Sequence, residues 1–254
     1  MSTYAATMDS SGVKLGIDIG GTGIKGAPVN VETGELTADR FRLLTPKPAT
    51  PEAVAGIVAE VVKHFDYKGT VGCTFPAVVK HGAIETASNV DKSWIGTNAR
   101  ALFEDATGCT FTVTNDADCA GVAEMKFGAG AGRPGVVVIV TLGTGIGTAV
   151  FHDGVLLPNT ELGHMELRGK DAEKRAADSV REAKKLDWKQ FAKRVDEYLD
   201  HLEAVLWPDL IIIGGGVSKK GEKFIPLLTP RCEVVAAKLQ NEAGIVGGAL
   251  TAIA

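Results

Sequence analysis

"KLGIDIGGTGIKGAPV", residues 14–29, is the stretch whose reading decides the fold. Its core, Gly21-Thr22-Gly23-Ile24-Lys25-Gly26, spells GxGxxG, the turn that opens a helix onto a pyrophosphate in a dinucleotide-binding domain. That domain needs a helix after the last glycine. Here "APVNVETG" follows, with Pro28 and alternating valines that favour a strand, and no apolar helical stripe begins before Thr50. No acidic residue ends a second parallel strand at the expected place, and no Gly-Lys-Ser/Thr follows the glycines, so the Walker pattern fails as well. What remains is a glycine turn between antiparallel strands, with Asp18 ahead of it and Thr22 and Lys25 within it. Gly21 and Gly23 let backbone N–H groups converge on an anion, and Thr22 adds a hydroxyl donor. Asp18 lies close enough in sequence to help hold a magnesium ion through water. The rival reading is a plain glycine-rich hairpin turn.

The tetrapeptide Gly-Thr-Gly-Ile returns at 143–146, inside "GVVVIVTLGTGIGTAVFHDGVLL". Both copies follow a strand and precede an antiparallel hairpin; in the second, Asp153-Gly154 between apolar runs is the hairpin signal. A shared context around a repeated loop predicts a duplicated half. Thr144 and Gly145 then take the places of Thr22 and Gly23 as anion-binding residues. Around these units the pattern predicts strands over 27–31 and 36–44, and a helix over 50–65 with Val54, Ile57, Val58, Val61, Val62 and Phe65 inward. It predicts a second helix over 187–206 and a buried strand over 210–213 running into Gly214-Gly215-Gly216. Residues 168–185, dense in both charge signs, read as a solvated helical face.

The bulk numbers agree with one large domain or two lobes. The chain has 254 residues, 45% apolar and 23% charged, with net charge −4, which makes no electrostatic case for nucleic acid or an anionic membrane. Cys73, Cys109, Cys119 and Cys232 are scattered without a CxxC pair, which reads as reduced thiols in a cytoplasmic protein. No apolar run reaches the ~18 residues of a membrane span. Residues 1–12 lack the basic-then-apolar order of a signal peptide and read as a lead-in.

The order "GIDIGGTGIKG", "TNDADCAG", "VTLGTGIGTAV", "ELGH", "IIIGGG" resembles the ROK family of sugar kinases, over residues 15–216. The resemblance implies an α/β fold, the two-lobed actin-like ATPase fold (ribonuclease H-like, hexokinase-type) with a duplicated βββαβα core. "FPAVVKHG", "NVDKSW" and "LPNTELGHMEL" are similar to the polyphosphate-dependent glucokinase branch. What it implies is magnesium-dependent transfer of a phosphate from polyphosphate or ATP to the 6-hydroxyl of glucose or mannose, by a monomer or homodimer. The expected lobes are 1–117, joined by a C-terminal helix at 241–254, and 118–240.

A sugar hydroxyl is a poor nucleophile, so such a reaction needs a positioned base. Asp116, after the strand-like "FTVTN" and before a helix, is assigned as that base, with Asn115 on a neighbouring hydroxyl; helix capping is the rival reading of Asp116. Glu161 and His164 can pair with vicinal hydroxyls, and Glu-x-x-His is also a metal pair, for which no third ligand is apparent nearby. By resemblance alone Asn89 touches the sugar, as does Glu173, with Glu166 and Glu182 as its rivals. Gly215 and Gly216 would pass beside the nucleotide, or form only a strand-to-helix turn. The family's cysteine-rich zinc stretch is missing, so no structural zinc is expected. Lys25, Arg133, Lys219, Lys220 and Lys223 are the basic residues near the proposed phosphate loops. Two rivals come from other classes. A sugar-sensing repressor would need a helix-turn-helix ahead of the first strand, where the sequence is neither helical nor basic. A non-catalytic actin-like protein would not need the hexose residues. An ATP-only kinase for another hexose or amino sugar is the neighbouring enzymatic reading.

Overall fold

The computed structural model describes residues 12–88 and 90–253, the side chain of Asn241 excepted. The expected lead-in and Asn89 therefore lie outside the described residues. The chain divides into two units, one reaching Ala123 and rejoined at Glu242, the other spanning Glu124–Asn241. The division falls inside a helix, six residues later than expected from sequence, and the C-terminal helix belongs to the first unit.

The first unit contains β1 (Val13–Ile19), β2 (Ile24–Asn30), β3 (Phe41–Leu43), α1 (Pro51–His64), β4 (Thr70–Phe75), the ribbon β5 (Val79–Lys80) and β6 (Ala83–Ile84), α2 (Ala99–Thr107), β7 (Thr110–Asn115) and the start of α3 (Asp116–Phe127). The second contains β8 (Val136–Leu142), β9 (Ile146–His152), β10 (Val155–Leu157), α4 (Glu173–Ala176), α5 (Asp178–Ala183), α6 (Trp188–Leu206), β11 (Leu210–Gly214) and β12 (Glu233–Ala236), and α7 (Ala243–Thr251) closes the chain. The five-stranded sheets have orders β3-β2-β1-β4-β7 and β10-β9-β8-β11-β12. Each is an antiparallel meander of three strands extended by two parallel ones, so the repeated Gly-Thr-Gly-Ile marks a duplicated half.

Local chemistry accounts for the elements. Thr50 caps α1 and Pro51 opens it, while Val54, Val58, Val61 and Val62 are buried on its inner face. Asp187 and Gln190 form a reciprocal capping box at the start of α6, whose Phe191, Val195, Leu199 and Leu202 are buried. At the β9–β10 hairpin Asp153 and Gly154 have φ of 49° and 81°, the left-handed pair that a tight hairpin requires. Two expectations need correction. The stretch 36–44 yields only the three-residue β3, with Leu36 bridging Val29 in isolation. Residues 168–185 form two short helices, broken at Ala177 where the backbone is extended, and they bury Ala172, Ala176 and Ala177.

Helix α7 docks on the first sheet by backbone approach. A Cβ at Gly16 would lie 1.9 Å from the Ile245 carbonyl oxygen, at Gly72 1.7 Å from that of Gly248, and at Gly247 1.8 Å from that of Cys119. Only glycine permits this seat. It also brings the start of α7 to Asp18, whose Cγ would lie 2.7 Å from a Cβ at Gly244.

Candidate functional site

The first glycine loop is tighter than expected. Gly20 N–H donates to Gly23 O at 3.1 Å, and β2 already begins at Ile24. Lys25 is therefore on the strand rather than in the turn, directly opposite Asp18 in the register. Its Nζ lies 3.0 Å from Asp18 Oδ2, while Thr74, opposite Asp18 on the other side, donates its hydroxyl to Oδ1 at 2.8 Å. A row of register partners runs Arg42, Lys25, Asp18, Thr74, Thr114 across the sheet. Arg42 Nη2 donates to Thr22 O at 3.0 Å, and Thr45 Oγ1 donates to Gly20 O, so β3 and the chain after it brace the loop. Neither residue was legible in the sequence, because the signal is cross-strand register. Gly20 and Gly21 also border a cavity of about 150 Å³ with Trp94, Phe75 and Pro46 in its wall. The Trp94 indole N–H donates to Ala49 O at 2.9 Å, and its buried ring packs on Phe75 and Phe103.

At the end of β7 the helix cap belongs to Asn115. Its Oδ1 accepts from the N–H groups of Ala117 and Asp118 at 2.9 and 3.1 Å, and its Nδ2 donates to Ala77 O at 3.0 Å. That commitment leaves Asn115 one amide hydrogen for any ligand. Asp116, next along, is exposed, and its Oδ1 also accepts from Ala117 N–H at 2.8 Å.

In the second unit Gly143 N–H donates to Gly145 O at 3.0 Å across the matching loop. Ser179, in the first turn of α5, holds that loop by donating Oγ to Thr144 O at 2.6 Å and N–H to Gly143 O at 3.0 Å. The Glu173 carboxylate also reaches the loop, accepting from Ile146 N–H at 3.4 Å, and its Oε2 would lie 2.3 Å from a Cβ at Gly145. Glu161, His164 and Glu173 come together here. His164 Nε2 is 3.5 Å from Glu161 Oε2, and His164 Nδ1 is 3.6 Å from Asp171 Oδ2. Of the rivals to Glu173, Glu166 is exposed and Glu182 binds Arg181. Burial raises the Glu161 carboxyl above its ordinary range, with the Glu173 charge adding and His164 opposing.

The absence of a third ligand near Glu161 and His164 is corrected by this geometry. His164, Asp171 and Glu173 offer ligand-type atoms within 4.8 Å of one another, the one such group among the described residues. A cation already serves it, since Lys174 Nζ lies 2.7 Å from Asp171 Oδ2 and holds that carboxyl below its ordinary range. Asp171 was missed because the turn that carries it back to His164 leaves no local signature. The free thiols of Cys73 and Cys119 are buried, and burial pushes both well above the ordinary thiol range.

The turn after β11 abuts the second loop: Gly215 has φ of 80°, and a Cβ there would lie 2.4 Å from Leu142 O. Gly216 then opens a short helical segment, Gly216–Lys223, on which Lys219, Lys220 and Lys223 are exposed. Arg133, by contrast, is paired with Glu233.

The sequence profile described as "ROK family" matches residues 14–175. A polyphosphate glucokinase of Mycobacterium tuberculosis is 53% identical over 99% of this chain and 95% of its own length. The crystal structure of an inorganic polyphosphate/ATP-glucomannokinase from an Arthrobacter strain superimposes with a TM-score of 0.91 at 47% identity, covering 95% of this chain and 98% of that one. A glucokinase from Streptomyces griseus, solved with glucose and AMPPNP, shares the fold at a TM-score of 0.81 and 24% identity over 94% of this chain and 98% of its own.

Proposed function

The chain belongs to the ROK family, and on that premise we propose that it phosphorylates glucose with inorganic polyphosphate or ATP as donor. The observation that carries this reading is the 53% identity, over nearly the full length of both chains, to a polyphosphate glucokinase. Mannose is proposed as a second acceptor on the strength of the glucomannokinase likeness.

Asp116 is proposed as the general base. Its carboxylate takes the proton of the sugar 6-hydroxyl as that oxygen bonds to the terminal phosphorus and the bridging P–O bond breaks, leaving ADP or a polyphosphate one unit shorter. Asn115 supplies the cap of α3 through two N–H groups, of which Asp116 shares only that of Ala117, and this supports the role. Glu161, His164 and Glu173, with Asn89, would bind the hexose hydroxyls. The glycine loops at Gly21, Thr22 and Gly23 and at Thr144 and Gly145, with Lys25, Gly215 and Gly216, would hold the donor. Magnesium, held through water by Asp18, would neutralise charge on the transferred phosphate. Asp18 suits that outer role because Lys25 and Thr74 already occupy its carboxylate.

Among the described residues no helix is long and apolar enough to cross a membrane. A cytoplasmic setting is proposed on the free thiols, and the working state is proposed as a monomer or homodimer.

The test is formation of glucose 6-phosphate by the purified protein with magnesium, polyphosphate and ATP being supplied separately. Product from polyphosphate supports the reading. Product from ATP alone leaves an ATP-only hexokinase, and product from neither, with no glucose binding by calorimetry, returns the fold to a non-catalytic role.

A further inference from the structure

A polyanionic donor longer than ATP extends past the loops that hold its reacting end, and its outer phosphates need cations not already spent on carboxylates. Five basic residues lie near the phosphate loops in sequence, and ion pairing separates them. Lys25 is engaged by Asp18 and Arg133 by Glu233. Lys220 and Lys223 have no carboxylate within 4.0 Å among the described residues, yet their ammonium groups converge on one indole. Their Nζ atoms lie 5.9 and 5.7 Å from the Trp188 ring centroid, and the Arg181 guanidinium carbon lies 4.6 Å from it. Arg181 is neutralised by Asp178 and Glu182, so the two lysines carry the uncompensated charge.

The indole under them is a fixed platform. Trp188 stacks on the fully buried Phe224 with 14° between the planes, and Phe191 meets it edge-on. The patch is also continuous with the second donor loop. Ser179 holds Thr144 and Gly143, and Arg181, two residues further along α5, covers Trp188. From the other side Gly215 touches Leu142, and the segment that begins at Gly216 carries Lys219, Lys220 and Lys223 against the single Glu222. Two ammonium groups 5.9 and 5.7 Å from one ring centroid, neither paired with a carboxylate among the described residues, raise the local positive potential, which favours an anion there.

We propose that Lys220 and Lys223, held over Trp188, bind the phosphates of polyphosphate beyond those at the second glycine loop, and so distinguish long chains from ATP. This rests on the reading above that polyphosphate is a donor, and adds where its tail lies.

Binding separates the two claims. Calorimetry with long-chain polyphosphate and with tripolyphosphate is run on the wild type and on a Lys220→Ala/Lys223→Ala variant. A Lys68→Ala/Lys80→Ala variant removes the same net charge from exposed positions of the first unit, and circular dichroism checks all three folds. The patch predicts at least a five-fold loss of long-chain affinity in the first variant, less than two-fold loss for tripolyphosphate, and less than two-fold loss for either in the control. The log–log salt dependence of long-chain binding should become shallower by on the order of one. Lys220→Arg/Lys223→Arg should restore binding. Equal losses in both double variants, equal losses for both ligands, or a wild type that does not prefer the long chain would each overturn the proposal. Turnover on glucose is scored separately: its absence sinks the kinase reading, while the binding comparison still decides the patch.

Discussion

Asp18 Oδ2 lies 3.0 Å from Lys25 Nζ, and the two residues stand directly opposite each other where β1 and β2 pair. The pair is mostly covered, with side-chain exposures of 18% and 25%, and Thr74 completes the carboxylate's partners from β4. Opposite charges at cross-strand positions on one face attract at short range, and partial burial lessens their screening. Lys25→Met should therefore cost about 1 kcal/mol of stability. Asp18→Asn should cost less in the Lys25→Met background than alone, with a coupling on the order of 1 kcal/mol in a urea-denaturation cycle. Additive single effects would show that the pair contributes nothing to the fold.

Asp116→Asn keeps the shape of the side chain and removes its basicity. Because a positioned base contributes about 10²–10⁴-fold, kcat with glucose should fall by far more than tenfold. Glucose affinity, measured by calorimetry, should change by less than about threefold, since the hydroxyl still meets a polar partner. Retention of more than about a tenth of wild-type kcat would remove Asp116 from the role of base.

Much of the fold was legible because it is written in short-range chemistry. The repeated Gly-Thr-Gly-Ile, the Asp153-Gly154 hairpin and the stripes of α1 and α6 are each spelled within a few turns of chain. What escaped depends on partners distant in sequence. Lys25 looked like part of the glycine loop because Gly26 follows it. Only the bond from Gly20 to Gly23, which closes the turn early, places it on β2 facing Asp18. The residues around His164 split in the same way. Glu161 sits in the same short segment and was readable from spacing. Asp171 returns through a turn in which Leu167 and Lys170 exchange backbone bonds, and nothing local announces its approach. The break between α4 and α5 was hidden because alanines and charges around Ala177 read as one helical surface.

In its proposed sugar-binding role, Glu161 makes glucose binding depend on pH. Partial burial raises its carboxyl above the ordinary glutamate range, with His164 opposing and Glu173 adding to the shift, so it takes up a proton at a less acidic pH than a free glutamate. The protonated form is a poorer acceptor for sugar hydroxyls, so KM for glucose should climb as pH falls through that raised pKa. The sign for folding is opposite. The folded state holds this proton more tightly than the unfolded chain, so this one group adds stability as pH falls and loses it as pH rises. Glu161→Gln should flatten both dependences when KM and Tm are followed over the same acidic range. A Gln variant whose KM still climbs on acidification would assign the limb to another group.

Two glycines outside the loops should respond to alanine in opposite directions. Gly72 on β4 faces α7, where a methyl would lie 1.7 Å from the Gly248 carbonyl oxygen, a backbone atom that moves only if the helix moves. Overpacking of this kind costs about 1–3 kcal/mol, so Gly72→Ala should lower stability by at least that and loosen α7 from the sheet. Gly56 lies exposed within α1, with nothing within 4 Å of its added methyl. There alanine restricts the unfolded chain and favours the helix, raising stability by about 0.5–1 kcal/mol. Urea denaturation of the two variants measures both signs. Hydrogen exchange along α7 separates a lifted helix from a global loss, because only a lifted helix gives faster exchange at residues 243–251 than at α1. A Gly72→Ala protein as stable as the wild type would mean that α7 does not seat on the sheet through these glycines.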